Sequence, residues 1–237
     1  MAMPQFATAG KMMGLGHTSL DYYKSSPILD NQNGYVIYAP HWSFVHPGNT
    51  RSNICPMSTF LENGELILEF AKKHSGLGWV FKPHPLLYTV LIHSGCKTKE
   101  QTDAYFNAWR ELGIVHDTPD YAELFVKSRA MITDSVSFTV EYPATGHPII
   151  QMLSEGARKR DPGPQKALYD SYYQTTNNDE LMAALDLVLV RNQDPKRESR
   201  LREIERAGLR GDSAARRILM HLSDELGLGL TDKDFAA

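Results

Sequence analysis

The sequence is poor in the residues that hold small secreted folds and many metal sites together. It has two cysteines in 237 residues, Cys55 and Cys96, and their spacing fits neither a zinc site nor a disulfide framework. The histidines of the predicted loops, His17, His41 and His46, have no metal-ligand spacing with one another. We therefore expect a protein of a reducing compartment that carries no metal ion and no cofactor.

Long apolar runs and an excess of charge of either sign are also missing. No run of about 20 apolar residues occurs, so no membrane-spanning helix is expected, and the first residues lack a signal-peptide pattern. The net charge of −3 and the pI of about 6.3 give no basis for binding nucleic acid or a bilayer non-specifically. We expect a cytoplasmic protein, and these features leave peripheral association with the inner face of the membrane open.

Neither of the two common glycine-rich phosphate loops is present. The absence of GxGxxG and GxxxxGK[ST] removes the main support for a dinucleotide-binding or P-loop protein. The chain instead alternates between strand-like and helix-like segments. Strands are predicted at residues 35–39, 79–81, 114–115, 130–133 and 149–152. Helices are predicted at residues 57–74, 99–112, 121–128, 137–145 and 179–190, with 86–96 ambiguous and 153–176 irregular.

This alternation predicts the fold class and the organisation of the chain. About five strands separated by helices indicate an α/β fold with a doubly wound, Rossmann-like parallel sheet. We expect a flexible or truncated N-terminus over residues 1–16 and a Rossmann-like domain over 17–192. A C-terminal helical segment is expected over 193–237, as one or two charged helices interrupted near residues 208–211.

A polar turn follows the fourth predicted strand and suits a phosphate. Thr133, Asp134, Ser135 and Ser137 place hydroxyls and backbone N–H groups where a helix would begin, and the positive end of a helix attracts anions. Ordinary helix caps use the same residue types, so a structural role is the alternative. Because a carboxylate repels phosphate, Asp134 is expected to orient the turn or to bind a hydroxyl.

Two other predicted strands also end in polar residues. Lys82 and His84 follow the strand at 79–81, and His41 and Trp42 follow the strand at 35–39. In an open α/β sheet, ligands bind at the carboxyl ends of the strands, so these side chains could meet the polar turn at one anion. His84 is the predicted catalytic residue, because histidine can act as a neutral donor or as a cation near pH 7. A histidine that is only solvated or hydrogen-bonded at a strand end is the alternative. We expect His84 and Ser137 to lie on neighbouring strand ends.

Three motifs, in this order, resemble a known enzyme family. YAPHW, FKPHP and DYAELFVKSRAMITDSVSFTVEYPATGHPII begin at Tyr38, Phe81 and Asp120. They resemble the C-terminal, donor-binding half of the CDP-glycerol glycerophosphotransferases, which are teichoic-acid primases and polymerases of GT-B type. The family has YSS where this chain has Ser135-Val136-Ser137, and an arginine where it has Ser43.

The resemblance implies a function and a set of partners. It implies that CDP-glycerol is bound and that glycerol phosphate is transferred to a hydroxyl of a cell-wall or capsule polymer, with CMP leaving. The donor site would comprise Lys82, Thr133, Asp134, Ser135, Ser137, Glu141, His41 and Trp42, with His84 contacting the donor phosphate. A carboxylate at the position of Glu141 holds a ribose in many GT-B folds. The general base would lie in the other half of the enzyme, so the chain would be either a donor-binding fragment of a longer enzyme or one partner of a two-chain enzyme whose other chain carries the acceptor domain.

Two alternatives remain open from the sequence. The turn TDSVS also resembles the TDSGG turn of UDP-N-acetylglucosamine 2-epimerases and related GT-B enzymes. A UDP-sugar glycosyltransferase or epimerase-like enzyme is therefore the second hypothesis. A non-catalytic nucleotide-binding module is the third.

Overall fold

Among the residues that the structure describes, six strands form one sheet in which every pair of neighbours is parallel. The computed structural model describes residues 16–28, 32–44, 56–231 and 234; the predicted N-terminal segment up to residue 15, Cys55 and His46 lie outside them. The strands are β1 (Tyr35–Ala39), β2 (Trp79–Phe81), β3 (Ile114–Val115), β4 (Ser128–Thr133), β5 (Ile149–Met152) and β6 (Tyr173–Thr175). Their order in the sheet is β3-β2-β1-β4-β5-β6.

This order is that of a doubly wound Rossmann-like sheet, so the predicted fold class is confirmed. Strand order reverses between β1 and β4, where Ala39 is in register with Thr133. Four predicted strands have the expected bounds, and the fourth strand starts two residues earlier than predicted, at Ser128. The sixth strand, Tyr173–Thr175, lies in the segment that was predicted to be irregular. This strand has only three residues with a polar residue at its centre, so it is too short to show the alternation of apolar and polar residues that predicts a strand.

Helices cover both faces of the sheet. They are α1 (Asp21–Lys24), α2 (Phe60–Lys73), α3 (Leu87–His93), α4 (Lys99–Leu112), α5 (Ala122–Lys127), α6 (Val136–Glu141), α7 (Glu155–Arg158), α8 (Lys166–Asp170), α9 (Asn178–Leu185), α10 (Arg197–Arg206) and α11 (Ala214–Leu226). Short 3-10 turns occur at Thr18–Leu20, Ser75–Leu77, Tyr142–Thr145 and Gly163–Gln165, and a π-helical turn at Asp186–Val190 extends α9. No helix in the described ranges is long and apolar enough to cross a membrane.

The predicted helices are present, and local interactions determine where their ends lie. The helix predicted at 99–112 has the expected bounds, because Thr98 and Gln101 form a capping box at its start. The helix predicted at 137–145 begins one residue earlier and tightens into a 3-10 turn over Tyr142–Thr145, which contains Pro143. The ambiguous segment 86–96 contains α3.

Two hydrophobic clusters lie on opposite faces of the sheet, because successive strand residues point to opposite sides. Val36 and Tyr38 of β1 pack with α2, α3, α4 and α9, whereas Ile37 and Ala39 pack with α1, α5, α8 and α10.

The C-terminal segment is part of this packing. Arg200 of α10 is fully buried, and its guanidinium donates to Asp194 and to the carbonyl of Gly146.

Candidate functional site

The predicted site residues gather where strand order reverses. The chain leaves β1 through Pro40, His41 and Trp42, and it leaves β4 through Asp134 and Ser135. The hydroxyl of Thr133 donates to the carbonyl of Ala39 at 2.7 Å and joins the two strand ends. Ligands of doubly wound sheets bind in the crevice at this point.

Strand order corrects one expectation about this edge. His84 follows β2 and Ser137 follows β4, and β1 lies between those strands. The two residues were expected on neighbouring strand ends, but their strands are two positions apart. The sequence could not show this, because the order of parallel strands in a sheet depends on which helix crosses to which side.

The carboxylate of Asp134 faces the protein. One oxygen accepts the N–H of His41 at 2.5 Å, and the other accepts the N–H of Thr59 at 2.6 Å and the hydroxyls of Ser58 and Thr59 at 3.1 and 3.2 Å. The side chain therefore connects the loop after β1, the start of α2 and the turn after β4. Burial raises the pKa of Asp134 to about 6, although the hydrogen bonds favour the ionised form.

The turn after β4 carries two neighbouring serine hydroxyls, and one of the two serines is exposed. The N–H of Ser135 donates to Thr133 Oγ1 at 3.0 Å, and the hydroxyls of Ser135 and Ser137 lie 3.1 Å apart. Ser135 is buried and Ser137 is exposed. Because α6 has only six residues, its dipole is short and the side chains must supply most of the attraction for an anion.

Two histidines and a tryptophan form an aromatic cluster beside this turn. The ring centroids of His41 and His84 lie 5.2 Å apart, and Trp42 lies 5.7 Å from the first ring and 5.9 Å from the second. The Nδ1 atom of His41 accepts the N–H of Ser43 at 3.2 Å, and the Nδ1 atom of His84 accepts the N–H of Leu86 at 3.1 Å. In the neutral rings each proton is therefore on Nε2.

Both histidines are kept neutral near pH 7. Burial, and then the proximity of His84, lower the pKa of His41 to about 4. Burial and the charge of Lys82 lower the pKa of His84. Each ring therefore offers an N–H donor to an anion and can become a cation if the anion stabilises its charge.

Lys82 is a buried cation that forms no ion pair with any carboxylate in the described ranges. Its Nζ atom donates to the carbonyl of Thr118 at 3.2 Å and lies 4.9 Å from the ring centroid of Tyr121 and 5.8 Å from that of Phe138. Burial lowers the pKa of Lys82, and the more distant charge of Asp117 opposes the change. An ammonium group in such surroundings favours an anionic ligand.

Glu141 is tied to two tyrosines and is not a freely solvated helix residue. The hydroxyl of Tyr23 donates to one carboxylate oxygen and that of Tyr121 to the other, both at 3.0 Å. A carboxylate has about four acceptor sites, so each oxygen keeps capacity for a further donor. Burial, and then the charge of Glu141, raise the pKa of Tyr121 to about 12.

Sequence reasoning identified the strand ends but missed the residues that support them. Ser58 and Thr59 anchor Asp134, and Tyr121 lies beneath Lys82. The first pair could have been recognised as the polar start of α2, but nothing in the sequence connects Tyr121 with Lys82. Within the described ranges, no group of histidine, cysteine and acidic residues could hold a metal ion.

Comparison with known proteins finds resemblance in structure only. No family and no curated protein matches the chain. One similar solved structure is S. aureus MnaA in a co-structure with UDP, with 15% identity and a TM-score of 0.45, covering 90% of this chain and 50% of that chain. Another is described as a UDP-N-acetylglucosamine 2-epimerase from Listeria monocytogenes, with 15% identity, a TM-score of 0.47 and coverage of 91% and 54%. The chain therefore spans about half the length of these proteins.

These comparisons correct the expected family and function. The prediction of a CDP-glycerol glycerophosphotransferase that transfers glycerol phosphate to a teichoic-acid or capsule polymer is wrong: no family matches, and the two structures named above are of a UDP complex and of a protein described as a UDP-N-acetylglucosamine 2-epimerase. The motifs gave the wrong family because they describe the residues at the ends of three strands. Unrelated proteins with this strand order can have similar residues at the same places. In addition, Ser43 stands where the family has an arginine, and its hydroxyl forms a hydrogen bond with the ring of His41.

Proposed function

We propose that this chain binds a nucleotide sugar through its diphosphate, at the sheet edge where β1 and β4 diverge. The donors are the Nε2–H groups of His41 and His84, the ammonium of Lys82, and the hydroxyls of Ser135 and Ser137. The observation that carries this proposal is the buried Lys82, which has no carboxylate ion partner among the described residues, beside two histidines kept neutral. A diphosphate supplies the charge that this arrangement lacks.

The spacing of these donors favours a diphosphate over a single phosphate. They come from the ends of β2, β1 and β4, which are consecutive in the sheet. Neighbouring strands lie about 4.8 Å apart, so the outer two are roughly 10 Å apart. That distance suits two linked phosphates with a hydrogen bond at each end. Asp134 leaves room for this charge because its carboxylate is turned towards the protein.

Two further predicted binding residues, Asp134 and Glu141, have supporting roles in this proposal. Asp134 positions His41 and the turn through hydrogen bonds to both carboxylate oxygens. Glu141 accepts the ribose hydroxyls with the acceptor sites that Tyr23 and Tyr121 leave unused. The chain would then be the donor-binding part of an enzyme that acts on nucleotide sugars, as a glycosyltransferase or an epimerase.

The test is a binding screen followed by one variant. Calorimetry would compare UDP-glucose, ADP-glucose and GDP-mannose, with CDP-glycerol as a comparator and the bare nucleosides as references. For the sugar that binds best, His84→Ala should weaken binding about tenfold or more, because a charge-assisted hydrogen bond contributes about 1.5–3 kcal/mol. Binding of the nucleoside should not change, since it carries no phosphate.

A matched control separates a lost contact from a damaged fold. His93→Ala removes an exposed histidine at the end of α3 and should leave every affinity unchanged. Equal affinity of the His84→Ala and wild-type proteins for the diphosphate would refute the proposed role of His84. The absence of binding to any nucleotide sugar would refute the proposed function.

A non-catalytic nucleotide-binding module is the second candidate. It follows from the same geometry, because a site for a diphosphate does not by itself contain a reaction. Incubation of the protein with the preferred nucleotide sugar, followed by chromatography for a released nucleotide or an altered sugar, distinguishes the two. Product formation supports the enzyme, and tight binding without product supports the module.

A further inference from the structure

A cavity opens on the same side of the sheet as the diphosphate site, beyond the carboxyl ends of β5 and β6. It has a volume of about 240 Å³, and we call it the β5–β6 cavity. Six of the residues that line it carry the argument: Val136, Thr139, Gln151, Arg158, Tyr169 and Gln174. The residues proposed above to bind the diphosphate do not line it.

The β5–β6 cavity begins one residue from the phosphate turn. Val136 directly follows Ser135, and Thr139 lies one helical turn further along α6. The other wall comes from Gln151 at the end of β5, the strand next to β4. A group joined covalently to a phosphate at the turn could therefore enter the cavity without crossing the sheet.

The size of the β5–β6 cavity limits its occupant to one ring. Pockets for drug-sized ligands usually measure about 300–1,000 Å³, and this cavity lies below that range. It is too small for a complete nucleotide sugar but suits a single hexose.

The chemistry of the lining favours a polyhydroxylated ring. Gln151 is buried, and its side-chain oxygen accepts the amide N–H of Gln174 at 3.1 Å. Amide groups donate and accept together, which matches the hydroxyls of a sugar. Arg158 adds donors, and the half-buried ring of Tyr169 adds an apolar wall that can lie against the C–H face of a sugar.

We propose that the β5–β6 cavity holds the sugar ring of the nucleotide sugar whose diphosphate binds at the turn after β4. This inference rests on the proposed function and goes further, because it assigns a separate subsite and the substrate class that the subsite accepts. Gln151 and Gln174 are its specificity-determining residues, and they contact the ring hydroxyls.

The experiment compares each nucleoside diphosphate with its sugar derivative. Calorimetry on the full chain would use UDP with UDP-glucose, ADP with ADP-glucose and GDP with GDP-mannose. In the wild-type protein the sugar derivative of the preferred base should bind more tightly than the diphosphate. Because Gln174 is exposed, Gln174→Leu should retain the fold. Gln174→Leu and Gln151→Leu should each weaken binding of the sugar derivative by about three- to tenfold, with the affinity for the diphosphate unchanged.

Saturation-transfer NMR gives a second readout, because it compares how closely different parts of the bound ligand approach the protein. Relative to the protons of the base, the sugar protons should receive less saturation from Gln174→Leu than from the wild-type protein. Gln193→Leu is the control, because Gln193 is exposed and lies outside the β5–β6 cavity, and it should match the wild type in both measurements.

The outcomes separate this inference from the function it rests on. If the diphosphate and its sugar derivative bind equally and the variants change neither, the sugar subsite is refuted while diphosphate binding stands. If no nucleoside diphosphate binds at all, both proposals are refuted.

Discussion

Replacing Asp134 with asparagine tests whether this carboxylate holds the site together or contacts the ligand. At pH 7.5 the side chain is ionised, because its pKa of about 6 lies well below that pH. Its two oxygens accept the N–H groups of His41 and Thr59. Asparagine keeps one acceptor oxygen and presents an NH₂ group to the other donor, so one buried N–H loses its acceptor.

The magnitude follows from these contacts. A buried donor left without an acceptor costs about 1–3 kcal/mol. Loss of the negative charge weakens the remaining hydrogen bonds, but it also removes the desolvation cost that raises the pKa of Asp134, and these two effects oppose each other. We therefore expect Asp134→Asn to lower the free energy of unfolding by roughly 1–3 kcal/mol, the cost of the unpaired donor. For a domain of this size that corresponds to a fall in Tm of roughly 2–12 °C.

Differential scanning calorimetry at pH 7.5 measures this change, and Asp224→Asn is the matched control. Asp224 is exposed on α11, so its replacement should alter the free energy of unfolding by less than about 0.5 kcal/mol. An Asp134→Asn protein with wild-type Tm that no longer binds nucleotide sugar would refute the reasoning. That result would mean that the carboxylate contacts the ligand and does not position the turn.

Three further predictions concern protonation, the ribose and the C-terminal helices. A bound diphosphate should raise the lowered pKa values of His41 and His84, so the complex holds more protons than the free protein. Affinity for a nucleotide sugar should then increase as pH falls from 7.5 to 5.5, and calorimetry in buffers of different ionisation enthalpy should detect proton uptake; a pH-independent affinity contradicts this. Glu141→Gln should abolish the preference for a ribonucleoside diphosphate over its 2′-deoxy form, measured by competition binding, and a preserved preference would exclude Glu141 from the ribose. Arg200→Met should destabilise the protein by about 3–5 kcal/mol in urea unfolding, because it leaves a partly buried carboxylate without its cation, whereas the exposed Arg202→Met on the same helix should have little effect.

The strands that carry the site could be predicted because their pattern is local. Three short apolar runs are followed by residues that stop a strand: 35–39 by a proline, 79–81 by a Lys-Pro-His-Pro turn and 149–152 by a polar loop. Such residues end a strand wherever it lies in the fold. The start of α2 could not be predicted from the sequence. Met57 and Ser58 form hydrogen bonds with Ser43, and Ser58 and Thr59 form hydrogen bonds with Asp134. These contacts hold the three residues outside the helix. Those partners lie at least 14 residues away in sequence.

The family inferred from motifs was wrong for a related reason. Sequence motifs such as FKPHP and TDSVS report what stands at the end of a strand, and different enzymes place similar groups there. Which donors face one ligand depends on strand order. His84 follows β2 and Ser137 follows β4, and these strands are two positions apart because β1 lies between them. His41, which follows β1, therefore lies between the other two residues.

The sequence by itself determined the α/β class, the five strands that contain an apolar run and the polar groups at their ends, because apolar patterning and turn chemistry act over a few residues. The tertiary structure alone decided that Asp134 faces inward, that Lys82 lies on Tyr121 without a carboxylate ion partner in the described ranges, and that a cavity follows β5 and β6. Each of these depends on contacts between segments far apart in the chain. Burial then sets the charges, because the pKa of a histidine or a lysine depends on which neighbours exclude water from it.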